Sequence, residues 1–134
     1  MPSAPNESDL MLVEEARAAR TRAYAPISRF TVGAALRCSD GTVIRGCNVE
    51  HVVLPETVCA EKVALVKAVS EGRLDLVAIA VITESIPAAT PCGSCRQMLH
   101  AWKVPRIVVA NVVGDVAVWT LEEILPGAFD LELP

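Results

Sequence analysis

The chain has 134 residues, which predicts a single domain over residues 1–134, with a disordered tail over about residues 1–8. Apolar residues make up 52% of the chain, so a disordered protein is excluded. Sixteen acidic and twelve basic residues give a net charge of −4, which argues against nucleic acid as a partner, since nucleic-acid binders usually carry a basic surplus.

The apolar pattern predicts helices and strands in the order αββαβαββα. Ser8 is predicted to cap a first helix that runs to about Ala23. Strands at 31–38 and 42–49, joined by a turn at 39–41, precede a helix at 57–71, a continuous apolar strand at 76–83 and a helix at 92–102. Strands at 106–110 and 116–119 and a short helix with a capping box at 120–123 complete the chain. This order favours one sheet layered between helices.

The cysteines direct attention to metal chemistry. Cys92 and Cys95 form a Cys-x-x-Cys pair at the start of the helix at 92–102, and Cys59 lies near the start of the helix at 57–71. Because both helices follow a strand, their first turns can lie close together at one edge of the sheet. Three thiolates that leave a fourth position open are the pattern of a catalytic zinc site.

Charged residues beside these cysteines would complete such a site. Glu61 is too close in sequence to Cys59 to bind the same ion easily, but it can lie beside the open position and act as a general base for water. Three thiolates outweigh the charge of one zinc ion, and two helix N-termini and a neighbouring cation would offset the excess. Lys62 and Arg96 are the candidates for that cation.

Two other interpretations of the cysteines stay open at this point. A redox pair is disfavoured, because Cys92 lacks the upstream Trp of thioredoxin-like motifs. A structural zinc site would need a fourth ligand, for which the candidates are Cys38, Cys47, His51 and His100. Cys38 and Cys47 lie in predicted strands, where a cysteine usually serves as a small buried apolar residue.

Two motifs, Cys59-Ala-Glu61 and Pro91-Cys-Gly-Ser-Cys95-Arg-Gln97, resemble the signature of the cytidine deaminases in their small, homotetrameric, three-cysteine form. Segments at 24–30, 32–36, 46–50 and 125–129 are also similar to that family and occur in the same order. The resemblance therefore covers nearly the whole chain. It implies a three-layer α/β/α sandwich with a five-stranded mixed sheet, one zinc ion per chain and a homotetramer.

The resemblance also implies roles for individual residues. Zinc would be held by Cys59, Cys92 and Cys95, and Glu61 would move protons between water, the pyrimidine ring and the leaving amine. The implied substrate contacts are Phe30, Asn48, Val49, Glu50 and Ala60, of which Asn48 and Glu50 would bind the ribose, chiefly its 3′-hydroxyl. Lys62 and Arg96 would tune the thiolates, and Phe129 would reach the active site of a neighbouring subunit.

These roles imply a hydrolase of pyrimidine salvage that deaminates cytidine and 2′-deoxycytidine. The loop at 51–56 departs from the family's usual sequence, and Lys62 stands where Arg is usual, so a modified or antibiotic nucleoside of the blasticidin kind is an alternative substrate. A third hypothesis is a non-enzymatic module stabilised by zinc, against which Glu61 argues, because a structural site needs no carboxylate beside its metal.

The expected partners follow from the same residues and from what the chain lacks. Charges interrupt every long apolar stretch, and the N-terminus has no signal-peptide pattern, so we expect a cytoplasmic protein without a membrane partner. A pair of residues that enclose a ribose suits a free nucleoside better than a polynucleotide. We therefore expect a small-molecule nucleoside as the substrate and no nucleic acid.

Overall fold

The computed structural model describes residues 1–131, in which a five-stranded sheet separates two layers of helices. Residues 132–134 of the predicted domain lie outside the described residues. In chain order the elements are α1 (Glu7–Arg20), β1 (Gly33–Cys38), β2 (Val43–Cys47), a 3₁₀ turn (Leu54–Glu56), α2 (Ala60–Ser70), β3 (Leu76–Thr83), α3 (Gly93–Ala101), β4 (Arg106–Asn111), β5 (Val116–Thr120) and α4 (Leu121–Ile124).

The strands lie in the order β2-β1-β3-β4-β5. β3 and β4 are parallel, whereas the other three neighbouring pairs are antiparallel. The crossover between the two parallel strands contains α3, as a connection between parallel strands usually contains a helix. The prediction of a five-stranded mixed sheet is confirmed.

Apolar residues cover both faces of this sheet. α1 packs on one face, where Leu12 and Ala16 lie in one cluster with Ala35 of β1 and Ile82 of β3. The other face is covered by α2, α3 and α4, which contribute the buried side chains Leu65, Leu99 and Ile124. The helices therefore form the outer layers of the predicted three-layer α/β/α sandwich, which is confirmed.

Gly46 lets α2 approach the sheet closely. A Cβ atom on this β2 residue would lie 2.5 Å from the carbonyl oxygen of Ala60 and 2.6 Å from the backbone nitrogen of Ala64. No larger side chain fits between β2 and the first two turns of α2. The glycine thus seats the N-terminal end of α2 against the edge of the sheet.

The start of the chain differs from the prediction. α1 is capped by Asn6 instead of Ser8: the Asn6 side chain accepts a hydrogen bond from the Asp9 backbone N–H at 2.9 Å, and the Asp9 carboxylate accepts one from the Asn6 N–H at 2.8 Å. Ser3 pairs with Val118 of β5 through two backbone hydrogen bonds. The structure therefore differs from the disordered tail predicted for residues 1–8, because these contacts tie the segment to the sheet.

Most other element bounds lie within two residues of the predictions, but α1 ends at Arg20, three residues before the predicted Ala23, and α2 starts three residues late. This helix starts at Ala60 instead of residue 57, because Val58 is extended and pairs with Val49. The predicted turn at 39–41 contains Gly41 at φ 89°, a left-handed conformation that suits glycine. Among the described helices the longest, α1, has 14 residues, and none is long and apolar enough to cross a membrane.

Candidate active site

Strand direction explains why the first turns of α2 and α3 meet. β1 lies between β2 and β3 and is antiparallel to both, so β2 and β3 run in the same direction. α2 follows β2, α3 follows β3, and both helices pack on the same face of the sheet. Their N-termini therefore lie at the same end of the sheet, beyond the carboxyl ends of the strands, where open α/β sheets bind ligands.

Three cysteine sulfurs come together at these helix N-termini. Cys59 is the N-cap residue of α2, Cys92 is the N-cap residue of α3, and Cys95 lies in the first turn of α3. Their Sγ atoms all lie within 4.8 Å of one another. Neither N-cap side chain makes a capping hydrogen bond, so the positive ends of both helices are directed at the sulfurs and favour thiolates.

No fourth side chain of a metal-binding type joins this group among residues 1–131. The candidates that the sequence left open as fourth ligands all lie outside it: Cys38, Cys47, His51 and His100. Cys38 is fully buried in β1, as predicted for a small apolar residue, whereas Cys47 is half-buried. Three protein ligands without a fourth are the arrangement of a catalytic zinc site and not of a structural one.

Glu61 is the carboxylate beside the cysteines. It is the second residue of α2, is only 5% exposed and lies next to Cys95. Burial raises the pKa of Glu61 to about 7, and the neighbouring Cys59 sulfur adds to the rise. A side chain with such a pKa can both hold and release a proton near neutral pH, as general acid–base catalysis requires.

The cysteine thiols influence one another. A hydrogen bond from Cys95 is the main cause that lowers the pKa of Cys59 to about 6, and the positive charge of Lys62 contributes. The same hydrogen bond, burial and the charge of Glu61 raise the pKa of Cys95. A divalent cation would add its own positive charge and favour the thiolate form of all three sulfurs.

A cleft of about 240 Å³ opens beside the sulfurs, at the small end of the range for ligand pockets. Its lining combines residues from the two helix N-termini with residues that precede β1 and follow β2: Phe30, Asn48, Cys59, Ala60, Glu61 and Cys92. A larger cleft, of about 550 Å³, lies between α3 and the C-terminal segment and contains none of the cysteines. The smaller cleft is therefore the candidate active site.

Comparison with known proteins assigns this arrangement to a family. The family model for the cytidine and deoxycytidylate deaminase zinc-binding region matches residues 6–111, which include all three cysteines and Glu61. The chain belongs to this deaminase family. It is therefore a zinc-dependent hydrolytic enzyme, and the predictions of the family, of an enzyme and of zinc are confirmed.

Individual relatives span almost the whole chain. A cytidine deaminase of Halalkalibacterium halodurans is 50% identical over 125 residues, which cover 91% of this chain and 94% of the relative. The crystal structure of a cytidine deaminase from Burkholderia pseudomallei matches with a TM-score of 0.86 and 44% identity, covering 90% of this chain and 98% of that one. A blasticidin-S deaminase of Bacillus cereus is more distant, at 32% identity over 129 residues, covering 90% and 91% of the two chains.

The cysteine group fits the zinc ion of the deaminase family. Ligands about 2.3 Å from an ion lie about 3.8 Å apart when they form a tetrahedron. The three sulfurs, all within 4.8 Å of one another, can take such positions with little movement. Thiolates at uncapped helix N-termini are also the charged, soft donors that zinc prefers.

Asn48 and Glu50, which the sequence assigns to the ribose, hold the segment that precedes β1. The Asn48 side chain accepts a hydrogen bond from the Val32 N–H at 2.9 Å and donates one to the Phe30 carbonyl at 2.7 Å. The Glu50 carboxylate accepts hydrogen bonds from the backbone N–H groups of residues 27 and 28 and from the Ser28 hydroxyl. Asn48 is buried and lines the cleft, whereas Glu50 is half-buried and is not part of its lining.

The remaining predicted residues lie at different distances from the sulfurs. Ala60 is buried in the cleft, and Lys62 is half-buried close enough to influence Cys59. Val49 is 41% exposed and pairs with Val58 instead of lining the cleft. Phe129 is 71% exposed and lies outside the cleft of its own chain. Arg96 donates its hydrogen bonds to oxygen atoms on either side of α3 in the chain.

Three threonines in the cleft were missed by sequence reasoning. Thr57, Thr83 and Thr90 contribute to the lining of the cleft. A signal was present for two of them, since Thr83 ends the apolar strand β3 and Thr90 directly precedes Pro91-Cys92. Hydroxyl groups at the carboxyl end of a strand or before a ligand loop are candidates for substrate contacts.

Proposed function

We propose that the protein deaminates cytidine and 2′-deoxycytidine to uridine and 2′-deoxyuridine. Water adds to C4 of the pyrimidine, the bond from C4 to the exocyclic nitrogen breaks, and ammonia leaves. The observation that carries the proposal is the group of three cysteines with a buried carboxylate, Glu61, beside one cleft of a chain that is 50% identical to a cytidine deaminase.

The protein's own residues would divide the work of this reaction. Cys59, Cys92 and Cys95 would hold zinc, which when bound supplies a Lewis acid that activates water at its open fourth position. Glu61 would accept a proton from that water, pass one to ring atom N3 and deliver one to the leaving amine. Its burial beside Cys95 supports this role, because a carboxyl group that is shielded from water loses fewer protons to solvent.

Residues around the cleft would position the nucleoside. Phe30 would pack against the pyrimidine, and its backbone is held by the Asn48 amide. Ala60 lies in the first turn of α2 and lines the cleft, where its small side chain would leave room for the ring. Asn48 and Glu50 would bind the ribose with the hydrogen-bonding capacity that remains to them, and Val49 would pack beside it.

We further propose that the active enzyme is a homotetramer of pyrimidine salvage in the cytoplasm. Support for an oligomer comes from large apolar side chains that are exposed in the loop at 51–56 and in the C-terminal segment. These are Val52 at 86%, Leu54 at 62% and Phe129 at 71% exposure. In this assembly Phe129 would complete the cleft of a neighbouring subunit.

A substrate panel tests the proposal. Purified holoenzyme is incubated separately with cytidine, 2′-deoxycytidine, cytosine, blasticidin S and a cytosine-containing single-stranded DNA, and the released ammonia is measured. We expect rapid release from cytidine and 2′-deoxycytidine. Release from blasticidin S alone would assign the protein to the alternative substrate class, and release from none would refute both proposed substrates.

A further inference from the structure

The Arg96 side chain makes contacts that its place in the sequence does not suggest. It follows the ligand Cys95 in the first turn of α3, yet its side chain holds two other segments of the chain. Its Nε donates to the Pro91 carbonyl at 2.7 Å, and its two terminal nitrogens donate to the Ile124 carbonyl and the Thr90 hydroxyl, both at 2.6 Å. Each of its three nitrogens is therefore engaged by an oxygen.

Two of these oxygens belong to the segment that leads into the metal site. The Pro91 carbonyl lies in the same planar peptide unit as the backbone nitrogen of Cys92, so a hydrogen bond that fixes the carbonyl fixes that plane. Once this plane is fixed, only rotations about the bonds of Cys92 itself change the direction of its Sγ atom. The bond to Thr90 reaches its side-chain hydroxyl and restrains the residue before Pro91.

The third oxygen ties this segment to the end of the chain. Ile124 is the last residue of α4, and its carbonyl has no partner within so short a helix. Arg96 supplies that partner, and the next residue, Gln97, donates from its side-chain amide to the Phe129 carbonyl at 2.8 Å. Two consecutive residues of α3 thus fasten the C-terminal segment 124–129 to the helix that bears Cys95.

We propose that Arg96 is a positioning residue for the zinc site, which locks the segment Thr90–Cys92 against the end of α4 and thereby holds Cys92 in place for the metal. Its contribution is the forked geometry of its donors, not its charge alone. A lysine has the charge but cannot reach three separate oxygens, since its donors all lie on one nitrogen atom. Substitutions of outer residues that orient ligands typically weaken metal binding 10–100-fold.

The test compares Arg96→Lys and Arg96→Met with a matched control, Arg106→Met. Arg106 is also a partly exposed arginine with short hydrogen bonds, but both of its hydrogen bonds go to Asp9 of α1. Zinc affinity of each purified holoenzyme is measured by competition with a chromophoric chelator, well below the melting temperature of each variant. Thr90→Val provides a milder variant that removes a single acceptor.

We expect both Arg96 variants to bind zinc 10–100-fold more weakly than the parent, Thr90→Val a few-fold more weakly, and Arg106→Met within about twofold of the parent. Parent-like affinity in Arg96→Lys with a loss in Arg96→Met would overturn the proposal in favour of a purely electrostatic role. Parent-like affinity in both, or an equal loss in Arg106→Met, would also overturn it. The inference rests on Cys92 as a zinc ligand, so a parent protein that binds no zinc would overturn that assignment separately.

Discussion

Glu50→Ala is expected to reduce the preference of the enzyme for cytidine over free cytosine. The Glu50 carboxylate accepts three hydrogen bonds from residues 27 and 28, with the Ile27 N–H at 2.8 Å and the Ser28 N–H at 3.0 Å. A carboxylate offers about four acceptor positions, so about one remains for a sugar hydroxyl. Cytosine has no sugar and cannot use it.

The size of the effect follows from this single remaining position. A hydrogen bond to a charged group contributes about 1.5–3 kcal/mol, and each ~1.4 kcal/mol is a factor of ten in rate. Glu50→Ala should therefore lower kcat/KM for cytidine by roughly 10–150-fold while changing that for cytosine far less. The same argument predicts a large loss for 3′-deoxycytidine and a small one for 2′-deoxycytidine in the unmodified enzyme.

Ser28→Ala is the matched control for this experiment. It removes one donor to Glu50 and loosens the turn before Phe30, but it leaves the carboxylate available to the sugar. The assay is kcat/KM for cytosine, cytidine, 2′-deoxycytidine and 3′-deoxycytidine with all three proteins. If Glu50→Ala slowed cytosine and cytidine equally, Glu50 would only support the wall of the cleft, and equal rates for both substrates in the parent would remove the nucleoside assignment.

Three further outcomes are expected. Glu61→Gln should retain zinc but lose about 10²–10⁴-fold in kcat. The control Glu71→Gln, an exposed change at the other end of α2, should leave kcat unaffected. If the Glu61→Gln variant kept most of its kcat, Glu61 would be excluded as the proton carrier. The Arg106 guanidinium lowers the pKa of Asp9 below its ordinary 3.8, so this pair stabilises the fold above that pH and loses its effect as the pH falls through the lowered value. Asp9→Asn should therefore cost about 2 kcal/mol in urea unfolding at pH 7 and progressively less below pH 4, and a pH-independent cost would refute the ion pair. If Phe129 completes a neighbouring cleft, specific activity should fall on dilution together with the mass seen by light scattering, and a fully active monomer would contradict this.

The parts of the fold that depend on local pattern were predictable. The bounds of β3 agree at both ends, because an apolar run covered on both faces of a sheet stands out from its surroundings. The cap of α1 was not predictable in the same way, since Asn6 and Ser8 are both good capping residues. Asp9 favours Asn6 as the cap, because it closes the capping box with Asn6. Asp9 also pairs with Arg106, 97 positions away, a contact that no local pattern reveals.

In the candidate site too, the sequence indicates which residues take part but not which atoms they contact. The sequence predicts Cys59, Cys92, Cys95 and Glu61 as the site, because three thiolates with an open fourth position and a carboxylate beside them suit a catalytic zinc ion. It does not reveal what Arg96 contacts, because two of its three acceptors are backbone carbonyls, which every residue carries. Partners of that kind become visible only when the chain is folded.

The charges around the sulfurs explain why a site with three thiolates can remain chemically useful. Three thiolates and the Glu61 carboxylate carry twice as much negative charge as one zinc ion can neutralise. Lys62 supplies one positive charge beside Cys59, and the N-termini of α2 and α3 each act as about half a positive charge. Together these balance the site, so the excess of thiolate charge need not weaken the metal as a Lewis acid. The charge of Arg96 is then not needed for this balance. Its donors instead hold oxygen atoms of the Thr90–Pro91 segment and of α4.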